Sequence, residues 1–218
     1  GDFLPHIRAA IAYDAESKII ESMRPNGVLV AQVTPRGGTI SGSSSIMQLD
    51  AWNWEDALIE NDEGIHLNWP NPYSRGRWWL GEDPSLKINK NYSTSVKKVN
   101  TFFENAQVYS KNQIPVHLPY QSMSGVFEGN TTLYLHAKDE KQIVDGITYL
   151  KKIGLSNIVL VGGNGAVDQL DFLKENNIPV IVSRPHRLPD NEDDDPKSAF
   201  KIASRLVNAG LLVSIDVS

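Results

Sequence analysis

Thr131-Thr132-Leu133-Tyr134-Leu135-His136, Asn157-Ile158-Val159-Leu160-Val161-Gly162, Ile178-Pro179-Val180-Ile181-Val182 and Leu211-Leu212-Val213-Ser214-Ile215 are short apolar runs of similar length. Their β-branched content suits strands at 131–135, 157–161, 178–182 and 211–215. Helical patterns separate them. Residues 138–153 place Ile143, Val144, Ile147, Leu150 and Ile153 at helical spacing, and Gly154 stops the helix. Residues 166–175 place Val167, Leu170 and Leu173 on one face, and 196–208 forms a third helix that ends before Gly210. The strands are nearly continuous apolar runs, as expected when helices cover a sheet. The connections are long enough for parallel crossovers. An open doubly wound sheet and a segment of an eight-stranded barrel both fit this α/β pattern.

The first half is less regular. Residues 14–24 read as a helix with Ile19, Ile20 and Met23 apolar, broken by Pro25-Asn26-Gly27. Residues 28–33 read as an apolar strand. Thr34 through Ser45 reads as a long small-residue loop, and 46–49 as a short strand. Trp52 to Trp79 has no clean period and holds all five tryptophans. Two uses suit them: an aromatic platform for a sugar or peptide, or packing anchors for an irregular segment, which the argument from buried aromatic area favours. A helix is expected over 100–109, starting as early as Tyr92. One incomplete barrel domain over 1–218 is expected. It divides into 1–50 (early strand and Gly-rich loop), 51–130 (irregular Trp-rich insertion and helix) and 131–218 (strand–helix units).

The chain has 218 residues, 40% of them hydrophobic, enough to bury a real core. Its formal net charge is -5, and no basic stripe suggests nucleic-acid binding. The acidic run Asn191-Glu192-Asp193-Asp194-Asp195 reads as a solvated loop, with a hard-cation site as the alternative. The absence of cysteine excludes disulfides, thiolate metal sites and cysteine nucleophiles. It is compatible with a periplasmic or a cytoplasmic location. No apolar run is long enough for a membrane span. The apolar stretch at the C-terminus leads to the expectation of a fragment. Exposed sheet edges would then favour association with another copy or a homologous chain.

Three segments carry a family resemblance. Asn26-Gly27-Val28 followed by Thr34-Pro35-Arg36-Gly37-Gly38-Thr39-Ile40-Ser41-Gly42 resembles a helix, Gly-Val strand and glycine loop of the imidazolonepropionase-related amidohydrolases. Leu133-Tyr134-Leu135-His136-Ala137-Lys138 is similar to that family's fifth barrel strand, which ends in a metal-binding His. Ala209-Gly210-Leu211-Leu212-Val213-Ser214-Ile215-Asp216 is similar to the turn and last barrel strand that carry the catalytic Asp. The resemblance covers most of the chain in outline, and the glycine loop is its most distinctive part. It implies a partial TIM-like (β/α) barrel with parallel strands, lacking the first strand and the chain-end β domain.

In such a hydrolase a divalent metal, zinc first, lowers the pKa of a bound water. The resemblance makes His136 a metal ligand. It makes Asp216 the base that takes the water's proton and passes it to the leaving nitrogen. Barrel sites lie at the C-terminal ends of strands. His186, Arg184, Gly163 and Asn164 are therefore substrate-binding candidates. The pattern departs from the family where a second metal His would follow a strand: Gly162-Gly163 stands there. The first-strand His pair is absent as well.

Each candidate also has a plain structural use. His136 can bond a neighbouring carbonyl, Asp216 can cap a turn, and His186 suits an exposed loop. His66, His6 and His117 read as surface or packing residues. Gly162-Gly163-Asn164-Gly165 fails the dinucleotide fingerprint, because Asp168 stands where its third glycine belongs. The expected function is hydrolysis of a C–N bond in a cyclic amide or peptide-like small molecule, with the fragment alone inactive. The alternative is a degenerate, non-catalytic barrel that binds a ligand or a catalytic homologue.

Overall fold

A computed structural model describes residues 1–83, 85–112, 114–186 and 195–216. The acidic run lies outside the described residues except for Asp195, and Arg187 lies outside them too. The elements in chain order are α1 (Lys18–Met23), β1 (Val30–Val33), β2 (Ile40–Gln48), α2 (Trp54–Ala57), β3 (Leu58–Asn68), β4 (Tyr73–Arg75) and β5 (Leu86–Ile88). They continue with α3 (Tyr92–Lys111), α4 (Leu118–Gln121), α5 (Ser124–Glu128), β6 (Thr132–Ala137), α6 (Glu140–Lys152), β7 (Ile158–Gly162), α7 (Leu170–Glu175), β8 (Val180–Ser183), α8 (Ser198–Asn208) and β9 (Val213–Asp216). The fold is mixed α/β. A seven-stranded sheet runs β1-β2-β3-β6-β7-β8-β9, and β4 pairs with β5 separately. The chain forms two compact units: Gly1–Asn68 with Glu104–Tyr134, and Trp69–Phe103 with Leu135–Ser218.

In the first unit the expectation of parallel strands is corrected. β1 pairs antiparallel with β2, and β2 antiparallel with β3. The short hairpin connections there leave no room for a parallel crossover. The small-residue stretch expected to be a loop is mostly strand, because β2 begins at Ile40 and runs through the serines to Gln48. Ser41, Ser43, Ser44 and Ser45 are all buried. Their hydroxyls meet the polar residues of β3: Ser43 donates to Asp62 at 2.6 Å and Ser44 to Glu63 at 2.6 Å. Small hydroxyl side chains thus replace hydrophobic ones opposite a charged strand, and the apolar signal of a strand disappears. The same trade hides β3, which lies inside the stretch without a clean period. Gly42 is required where β2 passes the N-terminal segment. Its φ is +142°, and a Cβ there would lie 2.3 Å from the carbonyl oxygen of Ile7.

In the second unit the alternation read from the sequence appears, with shorter helices. α6 buries Ile143, Gly146, Ile147 and Leu150, and α8 buries Ala199, Ile202 and Leu206. The helix expected over 166–175 splits into a 3-10 turn at Gly165–Asp168 followed by α7. β7, β8 and β9 pair in parallel, with Leu160 opposite Val180 and Val180 opposite Val213. The tryptophans divide between packing and exposure. Trp69 is buried and Trp54 packs against a small cluster of Ala10, Met47 and Ala57. Trp52 is 91% exposed and Trp79 66% exposed, so these two do not anchor a core. Among the described residues, no helix is long and apolar enough to cross a membrane.

Candidate functional site

Strand ends build the site. β7, β8 and β9 close on Gly162, Ser183 and Asp216, and the parallel register sets Gly162 opposite Val182 and Ser183 opposite Asp216. The end of β6 joins them through backbone. Gly165 N donates to the carbonyl of Lys138 at 2.8 Å. A Cβ on Gly162 would lie 2.3 Å from the carbonyl oxygen of Ala137.

β6 alternates strictly. Leu133, Leu135 and Ala137 are buried, while Thr132, Tyr134 and His136 are half-buried on the other face. A Cβ on Gly146 of α6 would lie 3.0 Å from Leu135, so α6 covers the leucine face. His136 therefore projects from the opposite face. Burial lowers its pKa, and the charge of Asp216 opposes that shift. The imidazole is neutral near neutral pH, with a carboxylate close enough to stabilise a proton arriving on it. Asp216 Oδ2 accepts from Ser183 Oγ at 3.3 Å, and its main-chain carbonyl accepts from Arg184 N at 3.3 Å.

The remaining candidates are placed as follows. Arg184 is exposed in a left-handed conformation, φ 51°, directly after β8. His186 is exposed and meets Phe200 of α8 edge-on, with ring centroids 5.3 Å apart. Gly163 is buried at φ +85°, and Asn164 is half-buried at the entry to the 3-10 turn. His136, Asp216 and Arg184 thus gather at adjoining strand ends. His186 instead meets the side chain of Phe200 on α8. Ser183 was missed by the sequence reading. Its signal was its place as the last residue of an apolar strand, two positions before Pro185.

A buried amide holds the turn after His136. Gln142 Oε1 accepts from the main-chain N–H groups of Lys138 at 3.0 Å and Asp139 at 3.2 Å. Its Nε2 donates to the carbonyls of Trp69 at 3.0 Å and Pro70 at 3.1 Å. Trp69 N in turn donates to the carbonyl of His136 at 3.1 Å. The backbone on both sides of His136 is therefore fixed by bonds that water would otherwise have to supply.

The donor set does not fit the expected zinc. Structural and catalytic zinc sites use three or four protein ligands. Among the described residues, no group of three or more His, Asp or Glu side chains is arranged to hold a metal ion. His136 and Asp216 supply two donors. Gly162 supplies none, and its φ of +133° and contact with Ala137 leave no place for a side chain.

No family model matches the sequence, and no curated protein matches it. A solved structure of an amidohydrolase from Thermotoga maritima MSB8 is similar in fold. It has a TM-score of 0.81 at 16% identity, covering 99% of this chain and 57% of that chain. The likeness establishes an amidohydrolase-like fold and is compatible with a partial barrel. This chain spans little more than half the length of that neighbour.

Proposed function

We propose that the protein is a hydrolase of C–N bonds in cyclic amides or peptide-like small molecules, with its polar pair at His136 and Asp216. One observation carries this: two residues far apart in sequence lie within electrostatic range at strand ends, in a fold shared with an amidohydrolase. The chemistry follows from their charges. Water attacks the amide carbon while its proton passes to Asp216. Asp216 then delivers that proton to the leaving nitrogen, and the C–N bond breaks to give a carboxylic acid and an amine, which exchange a proton to leave as carboxylate and ammonium. Neutral His136 holds the carbonyl oxygen by an N–H bond that strengthens as negative charge develops there. Arg184, Gly163 and Asn164 are the substrate-binding residues in this reading. The relation to imidazolonepropionase belongs to this proposal and sets the first substrates to try, five-membered cyclic amides.

A second reading has an observation of its own. Gly162 closes the strand end where a ligand side chain is expected, which suits a barrel that binds a small molecule or a homologous chain without hydrolysing it. A divalent metal would need ligands from beyond the described residues. Hydrolysis of a cyclic-amide panel, with metal analysis of the same sample, separates the two readings. The hydrolase reading predicts turnover lost by at least about a hundredfold in Asp216→Asn and His136→Ala. Ligand binding without turnover, unchanged in both variants, would support the second reading.

A further inference from the structure

The hydrolysis proposed for this site gives no part to Ser183. β8 ends at Ser183 and β9 at Asp216, and the parallel register sets the two side by side. A Cβ on Gly163 would lie 3.4 Å from Val182 Cγ2 and 3.5 Å from Val180 Cγ1. Val180 and Val182 therefore project toward the turn after β7, and strand alternation sends Ile181 and Ser183 to the opposite face. Residues paired across a ladder share a face, so Asp216 projects there with Ser183. The hydrogen bond follows from that placement: Ser183 Oγ donates to Asp216 Oδ2 at 3.3 Å. The next residue holds the main chain of the same aspartate, since Arg184 N donates to the Asp216 carbonyl at 3.3 Å. Directly after that bond the φ of Arg184, 51°, takes the chain out of extended geometry. Two consecutive residues thus grip Asp216 by its side chain and its main chain.

A serine hydroxyl has one proton, and here that proton points at the carboxylate. Hydrogen bonds to an ionised acceptor are roughly twice as strong as neutral ones. Ser183 therefore favours the ionised, proton-accepting form of Asp216. The bond also restrains rotation about the Cβ–Cγ axis, so the second carboxylate oxygen faces one direction. We propose that Ser183 is the positioning residue of the general base: it holds the Asp216 carboxylate in the orientation that receives the water's proton. The proposal rests on the hydrolase reading of the site. Ser183 keeps its own proton throughout. The proton taken from water passes to Asp216 and then to the leaving nitrogen, so the balance of the reaction is unchanged. Orientation matters steeply at a reacting centre, where a misplacement of about 1 Å can cost on the order of a hundredfold in rate. Ser183 is half-buried, so water can take over part of its bond and the loss on removing the hydroxyl is smaller than that.

Steady-state kinetics on the cyclic-amide panel, with urea unfolding of the same proteins, tests this role. Ser183→Ala should lower kcat about tenfold and change KM by less than about twofold, the pattern of an interaction needed only in the transition state. Ser183→Thr and Ser183→Val share a shape and differ by the hydroxyl. Thr should retain most of kcat and Val should match Ala, which keeps the test available if the Ala variant fails to fold. In an Asp216→Ala background Ser183→Ala should cause no further loss, because no carboxylate is left to hold. The urea midpoints of wild type, the two single Ala variants and the double variant should be non-additive for the same reason. Equal kcat in the Thr and Val variants overturns the positioning role. So do a raised KM with unchanged kcat, multiplicative losses in the double variant, or an acyl adduct on Ser183 in mass spectrometry. Additive urea midpoints remove the bond itself. A wild-type chain without turnover on the panel fails the hydrolase reading and the role of Ser183 with it. Non-additive midpoints in that case place the failure in the reaction and not in the bond.

Discussion

Gly162 determines what the end of β7 can contribute to the site. With φ +133° and the Ala137 carbonyl 2.3 Å from where a Cβ would stand, even Ala forces the two strand ends apart. Gly162→Ala should cost about 2 kcal/mol through strain and overpacking. Thermal denaturation reads this as a clear fall in Tm, and an unchanged Tm would show that the strand ends yield freely. Tyrosine titration supplies a second check at this scale. Burial first, then the charge of Glu63, pushes Tyr134 up to about 12, and burial with the Asp145 hydrogen bond does the same for Tyr92. Both phenols stay neutral in the folded chain while an unfolded tyrosine ionises near 10. Their contribution to stability is present below pH 10 and is lost as pH rises toward 12. Absorbance of the phenolate should therefore show Tyr134 and Tyr92 ionising late, and Tyr134→Phe should remove one late step. A titration with all seven tyrosines complete near 10 would contradict this.

At the scale of elements, the turn between β6 and α6 depends on Gln142. Its four hydrogen bonds tie Lys138 and Asp139 to the carbonyls of Trp69 and Pro70. Gln142→Leu keeps the volume but strands two N–H groups and two carbonyls. A loss of about 2–4 kcal/mol is expected in urea denaturation. A loss under about 0.5 kcal/mol would mean that water replaces the amide readily. α6 was legible in the sequence because Ile143, Ile147 and Leu150 recur at helical spacing, and β6 to β9 because their apolar runs are bounded by turns. Gln142 was not legible, since a polar residue one position before Ile143 looks like an exposed one. β2 and β3 were illegible for a related reason. The buried serines of β2 hydrogen-bond to half-buried carboxylates of β3, so Ser43, Ser44, Asp62 and Glu63 carry no hydrophobic period. His66 was read as a surface or packing residue. It packs against Tyr134, and its bond to Ser44 depends on a strand irregularity that composition does not reveal.

At the scale of the molecule, the amidohydrolase-like fold is shown by its likeness to the Thermotoga structure, while the proposed hydrolysis rests on the pair at the strand ends. The sequence resemblance singled out His136 as a metal ligand and Asp216 as the base. The described residues offer that metal two donors and a glycine. Electrostatics links the pair to stability. Burial holds His136 below its ordinary value of 6.5 and Asp216 pulls it back up. A His with a lowered folded pKa contributes stability above pH 6.5 that is lost as pH falls through the folded value. Acid denaturation of His136→Gln should accordingly be less steep below pH 6.5 than that of the wild-type chain. The most direct measurement is the NMR titration of His136 in the wild-type chain and in Asp216→Asn. The account predicts a wild-type midpoint below 6.5 and a lower one still in Asp216→Asn, because the carboxylate that favours the imidazolium has gone. Identical midpoints in the two proteins, or a wild-type value above 6.5, would contradict the pairing on which the site is built.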